Sequence, residues 1–424
     1  MSPDGSLPDA RLGVVSSPAS DHTSDVRVRR VIILGSTGSI GRQTVDAIEH
    51  LNALSDRGLY HERFEIVGLA AGSDSKSLIE QADQLSVTDC ALAEHDQETP
   101  TDKRLRVGAD AAEQLIVDTD CDLVVGAIVG VAGLPSVLAA LERGTDVALA
   151  NKETLVAAGS LVMPVAKRTG AQILPVDSEH AGIWQCMMQA AGTNYAPPNP
   201  APDDVVRVVL TASGGAFRGQ RFEDIANATV DQALAHPTWN MGAKVTIDTA
   251  TLINKALELV EAHWLFGLGA DRLDAVIHPS STVHALVEMG DGSVVAQMGA
   301  PDMRTPILRS LCFPARSPEP LARLDLCRLS ELSFKPIDGP WRRGIDLGQW
   351  VIRSGGSAGA VFNASNEAAV HAFIDGRIPF GKILDIVELV CEQHTVLPIR
   401  TIQDVQSADQ AARDAAAQCI GRLE

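Results

Sequence analysis

A compact apolar run, a glycine-rich turn and an amphipathic stretch follow one another near the start of the chain. Residues 30–34 read RVIIL, residues 35–41 read GSTGSIG, and residues 42–54 carry apolar side chains at helical spacing. This order predicts a strand, a loop and a helix that open a βαβ unit. Backbone N–H groups at such a helix N-terminus favour a pyrophosphate, although similar turns also exist only to pack a helix on a strand.

The same alternation continues through the first 176 residues. Further strands are predicted at 64–69, 90–93, 123–126, 146–150 and 172–176. Helices are predicted between them at 75–85, 109–117, 134–144 and 154–170. Strands that alternate with helices in this way predict an α/β fold with a Rossmann-type, doubly wound and mostly parallel sheet.

The pattern changes after a proline-rich stretch at residues 197–202. Strands at 205–210, 275–277 and 294–298, with a helix at 249–266, predict a second, α+β domain, and helices dominate from residue 346 onward. We therefore predict five segments: a disordered tail (1–26), a nucleotide-binding domain (27–176), a central catalytic domain (177–312), a linker (313–340) and a C-terminal helical domain (341–424).

Charge and cysteine content exclude several classes of protein. The net charge of −19 argues against a surface that attracts nucleic acid or anionic lipid. The longest apolar run, at 123–134, is interrupted by glycines and is shorter than the roughly 20 residues of a membrane span. Seven scattered cysteines without a CxxC pair predict reduced thiols, and residues 1–26 lack the apolar core of a secretory signal. We expect a cytoplasmic protein.

Polar residues follow two of the predicted strands. Asn151, Lys152 and Glu153 come after one strand, and Asp177, Ser178 and Glu179 come after the next. Carboxyl ends of parallel strands face the ligand crevice, and two carboxylates on one side of an extended segment can share Mg²⁺ or Mn²⁺. The alternative is that both segments simply begin and cap helices.

Three polar residues interrupt the otherwise apolar helix predicted at 249–266. Asn254, Lys255 and Glu258 share one face because they are spaced by three and four residues. A surface ion pair is the usual interpretation, but the apolar neighbours leave little solvent-facing surface. We therefore expect these groups to line a phosphate and metal site.

Two loops complete the candidate site. Ser213, followed by two glycines, offers a hydroxyl and unhindered amides to a phosphate. The loop from His236 to Gly242 carries Trp239 and Met241 outside any helical or strand period, which favours a lid that excludes water. The alternative is that Trp239 anchors the loop to a core.

The second strand of the βαβ series ends at Gly72, Ser73 and Asp74. Ser73, with nearby Lys76, can accept the 2′-phosphate of NADP, whereas Asp74 more often suits a free 2′-hydroxyl. The residues alone therefore leave NADP and NAD as alternatives.

The order of these motifs resembles the 1-deoxy-D-xylulose-5-phosphate reductoisomerase family. The resemblance covers about residues 28–400. It rests on GSTGSIG (35–41), ANKE (150–153), PVDSEH (175–180), His236-Pro237, Trp239, Met241-Gly242, TAT (249–251), Asn254-Lys255, Glu258, His278-Pro279, the segment 299–306, Asn363-Ala364 and Asn366-Glu367.

The resemblance implies three sets of site residues. NADPH would contact Thr37, Gly38, Ser39, Ile40, Gly72, Ser73, Asp74, Asn151, Glu153 and Gly242. Mg²⁺ or Mn²⁺ would be held by Asp177, Glu179 and Glu258. The substrate would contact Lys152, Ser178, Glu179, Ser213, His236, Trp239, Thr249, Asn254, Lys255 and Glu258. Among these, Lys152, Asp177, Glu179, Glu258 and His236 would be catalytic.

The resemblance also implies a reaction and an assembly. 1-Deoxy-D-xylulose 5-phosphate would be rearranged and then reduced with NADPH to 2-C-methyl-D-erythritol 4-phosphate, by a homodimer joined through the central domain. Thr249 stands where the family often has Ser, and Ser73-Asp74 stand where a basic residue or Asn often follows the glycine. Two alternatives are a metal-independent Rossmann semialdehyde dehydrogenase and a non-catalytic NADPH-sensing protein.

Overall fold

A seven-stranded parallel sheet forms the first part of the computed structural model, which describes residues 26–94, 102–239 and 241–423. Its strands are β1 Arg27–Leu34, β2 Glu62–Ala71, β3 Cys90–Leu92, β4 Leu105–Val107, β5 Leu123–Gly126, β6 Asp146–Leu149 and β7 Ile173–Pro175. Their order is β4-β3-β2-β1-β5-β6-β7, with every neighbouring pair parallel. The predicted fold class is confirmed, whereas the predicted tail lies outside the described residues apart from Val26.

Helices connect these strands as the alternation predicts. They are α1 Ser39–Asp56, α2 Ser75–Leu85, α3 Ala111–Asp118, α4 Leu134–Glu142 and α5 Lys152–Thr169. The strand order reverses between β1 and β5, where ligands bind in doubly wound sheets. Strand β4 was not predicted, because Arg106 interrupts its apolar residues and charged residues precede it.

The second sheet has four strands and a different pairing. Its strands are β8 Val205–Ala212, β9 Leu273–Ile277, β10 Val283–Met289 and β11 Val294–Met298, in the order β11-β10-β8-β9. Only β8 and β9 run parallel. Helix α6, Ser178–Ala191, packs against β10 and β11. The sequence predicted β8, β9 and β11, but neither β10 nor α6.

The helix predicted at 249–266 is wrong in its N-terminal part. Helix α7 Val230–Leu234 is followed by α8 Ala243–Ala250 and then by α9 Ile253–Phe266. Leu252 separates the last two because it has φ 63°, in the left-handed region. Thr249 therefore belongs to α8, whereas Asn254, Lys255 and Glu258 belong to α9.

Five further helices complete the described chain. They are α10 Arg304–Cys312, α11 Arg342–Ser354, α12 Ala358–Ile374, α13 Lys382–Gln393 and α14 Ile402–Gly421. Residues 313–340 contain only 3₁₀ turns and an isolated bridge from Lys335 to Ile277. Helix α12 contacts α5 and α8, so the C-terminal helices support the elements that carry the candidate site. Within the described ranges we find no helix with the length and hydropathy of a membrane span.

Candidate active site

The glycine-rich turn follows β1, at the point where the strand order of the sheet reverses between β1 and β5. Gly35 has φ +80°, and a Cβ there would lie 2.4 Å from the carbonyl oxygen of Ala127. Gly38 is the N-cap of α1 and offers no side-chain cap. The glycines thus serve close packing and also leave the helix N-terminus open to an anion, so the two interpretations of this turn are compatible.

The end of β2 presents a second exposed group beside this turn. Gly72, Ser73 and Asp74 are all exposed, as is Lys76. Asp74 is the N-cap of α2 and accepts a hydrogen bond of 3.0 Å from the amide of Ser77, which lowers the pKa of Asp74. Asp74 therefore has a capping role, while Ser73 and Lys76 stay available to a ligand.

Residues 151–153 form the start of α5, as the alternative interpretation holds. Asn151 is the N-cap, since its Oδ1 accepts a 3.1 Å bond from the amide of Thr154. Its Nδ2 donates to the carbonyl of Gly130 at 2.7 Å. The helix start nevertheless directs the next side chain, Lys152, into a buried group of carboxylates.

Three carboxylates converge in this buried group, which we call the carboxylate cluster: Asp177, Glu179 and Glu258. One oxygen from each of the three lies within 4.8 Å of the other two. The predicted extended conformation of Asp177 to Glu179 is wrong, because Asp177 is the N-cap of α6 and accepts from the amide of Glu179 at 3.3 Å. The first turn of a helix, rather than strand alternation, brings the two carboxylates to one side.

Two lysines enclose the carboxylate cluster. Lys152 Nζ lies 2.6 Å from Asp177 Oδ2 and 3.1 Å from Glu258 Oε1. Lys255 Nζ lies 3.2 Å from Glu179 Oε1 and also contacts Glu258. Asn254 accepts a 2.9 Å hydrogen bond from Lys152 and donates to Glu258. The predicted polar face of α9 therefore meets the ends of β6 and β7.

The close packing of α5 on α9 sets these contacts. A Cβ on Gly159 of α5 would lie 2.3 Å from the Trp264 ring of α9, so only glycine permits this approach. The side chains of Lys152 and Glu258 then meet at an interface that is almost closed to water. The residues next to Lys152 and Glu258 in the sequence do not indicate that α5 and α9 pack this closely.

Burial makes the carboxylate cluster electrostatically crowded. Burial, then repulsion from Glu258 and Asp177, raises the pKa of Glu179 to about 8 even though Lys255 opposes the shift. Burial also disfavours charge on Asp177, but Lys152 holds the pKa of Asp177 well below its usual range. Three clustered oxygen donors, whose mutual repulsion the two lysines offset only in part, fit a hard divalent cation.

Two further buried residues adjoin the cluster and were not predicted. His180 Nε2 donates to the carbonyl of Glu258 at 2.8 Å, and His180 Nδ1 lies 3.4 Å from Asp177 and 3.5 Å from Glu261. The signal for Glu261 was present, since it follows Glu258 by three residues on the same helix. His180 and Glu261 thus lie behind Asp177, one of the candidate metal ligands, where they can orient it.

Ser213, His236 and Thr249 form a second group. His236 Nδ1 accepts from the amides of Thr238 at 3.1 Å and Trp239 at 2.8 Å, so its Nε2 donates to Ser213 Oγ at 2.9 Å. Gly215 packs against the backbone of Thr249. No hydrogen bond in the described part of the chain joins this group to the carboxylate cluster.

Trp239 lies in a loop that we call the flap loop, residues 235–239 and 241–242 between α7 and α8. Its side chain is half-buried, and it is not among the half-buried apolar residues that pack on the core of the described chain. This position favours the lid interpretation over an anchor to the core.

The surroundings of His236 predict that the conformation of the flap loop depends on pH. Burial, assisted by Arg218, lowers the pKa of His236 below its ordinary 6.5. The folded protein thus binds fewer protons than the unfolded chain, so this group lowers the free energy of unfolding as the pH falls from 6.5 toward the folded pKa. Protonation of Nδ1 also breaks its two bonds from the loop amides. NMR titration, with the ring signal assigned by His236→Asn, should give a midpoint under 6.5; a midpoint above it would contradict this account.

Comparison with known proteins identifies the family. Matching family models are described as 1-deoxy-D-xylulose 5-phosphate reductoisomerase over residues 31–159, its C-terminal domain over 173–266, and the DXP reductoisomerase C-terminal domain over 298–415. The 1-deoxy-D-xylulose 5-phosphate reductoisomerase of Bordetella avium (strain 197N) is 43% identical over 399 residues, which are 91% of this chain and 97% of that protein. The chain belongs to the 1-deoxy-D-xylulose 5-phosphate reductoisomerase family.

Other members of the reductoisomerase family agree with this result. The reductoisomerase of Pelotomaculum thermopropionicum (strain DSM 13744 / JCM 10971 / SI) is 42% identical over 93% of this chain and 100% of its own length. A Zymomonas mobilis reductoisomerase solved in complex with NADPH superposes with a TM-score of 0.81 at 36% identity, covering 93% of this chain and 99% of that one. A reductoisomerase solved with NADPH, fosmidomycin and magnesium gives 0.82 at 34% identity, with the same coverage of both chains.

Proposed function

We propose that this chain catalyses the NADPH-dependent rearrangement and reduction of 1-deoxy-D-xylulose 5-phosphate to 2-C-methyl-D-erythritol 4-phosphate. This is the committed step of the non-mevalonate route to isoprenoid precursors. The convergence of Asp177, Glu179 and Glu258 with two buried lysines carries the proposal. The reductoisomerases solved with NADPH and with magnesium support both cofactors.

NADPH would lie along the carboxyl edge of the parallel sheet. The open N-terminus of α1 would receive its pyrophosphate, and the exposed end of β2 would receive its adenosine ribose. Asn151, Glu153 and Gly242 would then lie toward the nicotinamide, on the side of the carboxylate cluster. The bound nicotinamide supplies the hydride for the reduction.

Asp177, Glu179 and Glu258 would hold the divalent metal. Their oxygen-only donor set favours Mg²⁺ or Mn²⁺ over Zn²⁺. When bound, such an ion supplies Lewis-acid polarisation of substrate oxygens. With all five groups ionised, the three carboxylates and two lysines leave one net negative charge, which a dication reverses to favour an anionic substrate.

The phosphorylated substrate would be held from two sides. Lys255 and Asn254 on α9 and Ser213 on the loop after β8 offer an ammonium group, an amide and a hydroxyl to its phosphate, together with Thr249. Lys152 would add positive charge beside the reacting oxygens, where Ser178 and Glu179 also face. A fixed phosphate keeps the small carbon skeleton oriented while its bonds rearrange.

Water exclusion and proton transfer fall to this chain's own residues. Trp239 would close over the substrate, and His236 would position that loop from Ser213. Without a bound metal, burial raises the pKa of Glu179 to about 8, whereas a carboxylate that ligates a metal is ionised. We therefore propose that Glu179, ionised by metal binding, or a water that it orients accepts the hydroxyl proton.

Assembly, location and domain roles are also proposals. We propose a homodimer through the central domain, residues 177–312, with residues 27–176 binding NADPH and 341–424 forming the helical domain after a linker. A monomer mass in sedimentation equilibrium would contradict the dimer. All seven cysteines are free, which supports a reducing compartment such as the cytoplasm.

The test is NADPH oxidation with 1-deoxy-D-xylulose 5-phosphate, followed by the absorbance of the reduced nicotinamide with and without Mn²⁺. We expect oxidation that depends on the metal and stops on chelation. Oxidation that survives chelation would favour the semialdehyde dehydrogenase. NADPH binding without oxidation would favour a sensing protein.

A further inference from the structure

A largely buried lysine lies at the N-terminal end of a helix, which is unfavourable for a positive charge. Lys244 lies in the first turn of α8, where the helix dipole disfavours a cation. Its side chain is only 12% exposed. Lys244 Nζ lies 2.8 Å from Glu153 Oε1 and 3.1 Å from Asp248 Oδ2. These two carboxylates offset both the dipole and the loss of water.

The contacts of Lys244 extend to a third helix. Asn366, which is fully buried in α12, donates a 2.8 Å hydrogen bond to Asp248 Oδ1. One chain of polar contacts therefore runs from α5 through α8 to α12. It links the C-terminal helices to the helix that begins with Lys152.

The position of Lys244 relates this chain of contacts to the flap loop. Gly242, the last residue of that loop, is the N-cap of α8 and lies two residues before Lys244. Glu153, at the other end of the contact, follows Lys152, whose ammonium group lies 2.6 Å from Asp177. Lys244 thus joins the anchor of the flap loop to the helix turn that places a lysine in the carboxylate cluster.

We propose that Lys244 is a positioning residue that holds the first turn of α8 against α5. This contact would fix the end of the flap loop relative to Lys152 and to the cofactor side of the site, so that the loop closes at the correct place. The inference rests on the proposed function, which assigns closure to Trp239. A purely stabilising role does not require charge here, because well-packed apolar residues often replace a buried ion network without loss of stability.

The test compares Lys244→Met with a control that loses the same kind of contact elsewhere. Arg343 on α11 bridges Asp385 and Glu388 on α13, at 2.8 and 2.5 Å, and none of these three residues belongs to the carboxylate cluster. Both variants and the wild type carry 5-fluorotryptophan, and the Trp239 signal among the five tryptophans is assigned with Trp239→Phe. Fluorine-19 spectra are recorded with Mg²⁺ and NADP⁺ before and after 1-deoxy-D-xylulose 5-phosphate, alongside kcat and KM with NADPH.

We expect Lys244→Met to lose the substrate-induced shift of Trp239 and to lower kcat/KM by roughly 100-fold, as a displaced active-site element does. Lys244→Arg should restore part of both, and Arg343→Met should keep both whatever its thermal stability. If Lys244→Met does not fold, Asp248→Asn takes its place, since it frees one end of the bridge and should weaken the shift.

Two results separate this inference from the proposed function. An active wild type whose Trp239 shift and kcat/KM are matched by Lys244→Met and Asp248→Asn would overturn the inference alone. A folded wild type with neither metal-dependent oxidation nor a Trp239 response would overturn the proposed function and this inference with it.

Discussion

Glu258→Gln should lower kcat by roughly 1,000-fold or more, since a bound metal supplies several kcal/mol of stabilisation to the transition state. Glu258 contacts both Lys152 and Lys255 and supplies one of the three oxygens of the carboxylate cluster. Gln keeps the size and one acceptor oxygen, so the change removes charge with little change of shape. Steady-state rates across a Mg²⁺ titration, with Mn²⁺ affinity from its EPR signal, measure the effect.

Glu261→Gln is the matched control for this variant. Glu261 is equally buried on the same helix, one turn further on, but it lies outside the carboxylate cluster and forms a second group with His180, at 3.5 Å, and Asp177. We expect it to keep measurable Mg²⁺-dependent turnover. Equal loss of Mn²⁺ affinity in both variants would contradict the assignment of Glu258 as the ligand.

Lys255→Ala should raise KM for the phosphorylated substrate by about 100-fold, because truncating one partner of a buried charge pair costs about 2–5 kcal/mol. The loss falls mainly on KM, since the phosphate is bound in the ground state and in the transition state alike. Removing Lys255 also removes the group that opposes the raised pKa of Glu179. Initial rates at several pH values, with NADPH saturating, separate the two effects.

Lys382→Ala provides the control for lysine truncation. Lys382 pairs with Asp385 at 2.8 Å with the same three-residue spacing as Lys255 and Glu258, but its side chain is 44% exposed. An exposed pair contributes about 0–1 kcal/mol, so KM should stay unchanged. Small and equal changes in KM and kcat for Lys255→Ala and Glu258→Gln would contradict the whole assignment.

The arrangement of the first sheet was predictable because its signals are local. Apolar runs, turns and helical periods recur in order, and parallel strands must bring their carboxyl ends to one edge. The positions of Asn151, Lys152, Asp177 and Glu179 at that edge follow from this rule. Some elements, such as β4, β10 and α6, are short or contain polar residues, and they showed no clear helical or strand period.

The site residues were named from the family resemblance, but their contacts were not predictable from spacing. The predicted extended segment at Asp177 is a helix start, and the predicted single helix is broken at Leu252. Both errors arise because a local change of backbone direction leaves no trace in the apolar pattern. A capping side chain or one left-handed residue changes the path of the chain without changing its apolar pattern.

By itself, the sequence determined the fold class, the glycine-rich turn, the polar face of α9 and the order of the motifs, because each depends on neighbours within a few residues. Only the tertiary structure decided that Lys152 lies between Asp177 and Glu258, that His180 and Glu261 stand behind them, and that Lys244 joins Glu153 to Asp248. Such contacts join residues far apart in the chain, and their charges become strongly coupled only when packing removes the water between them.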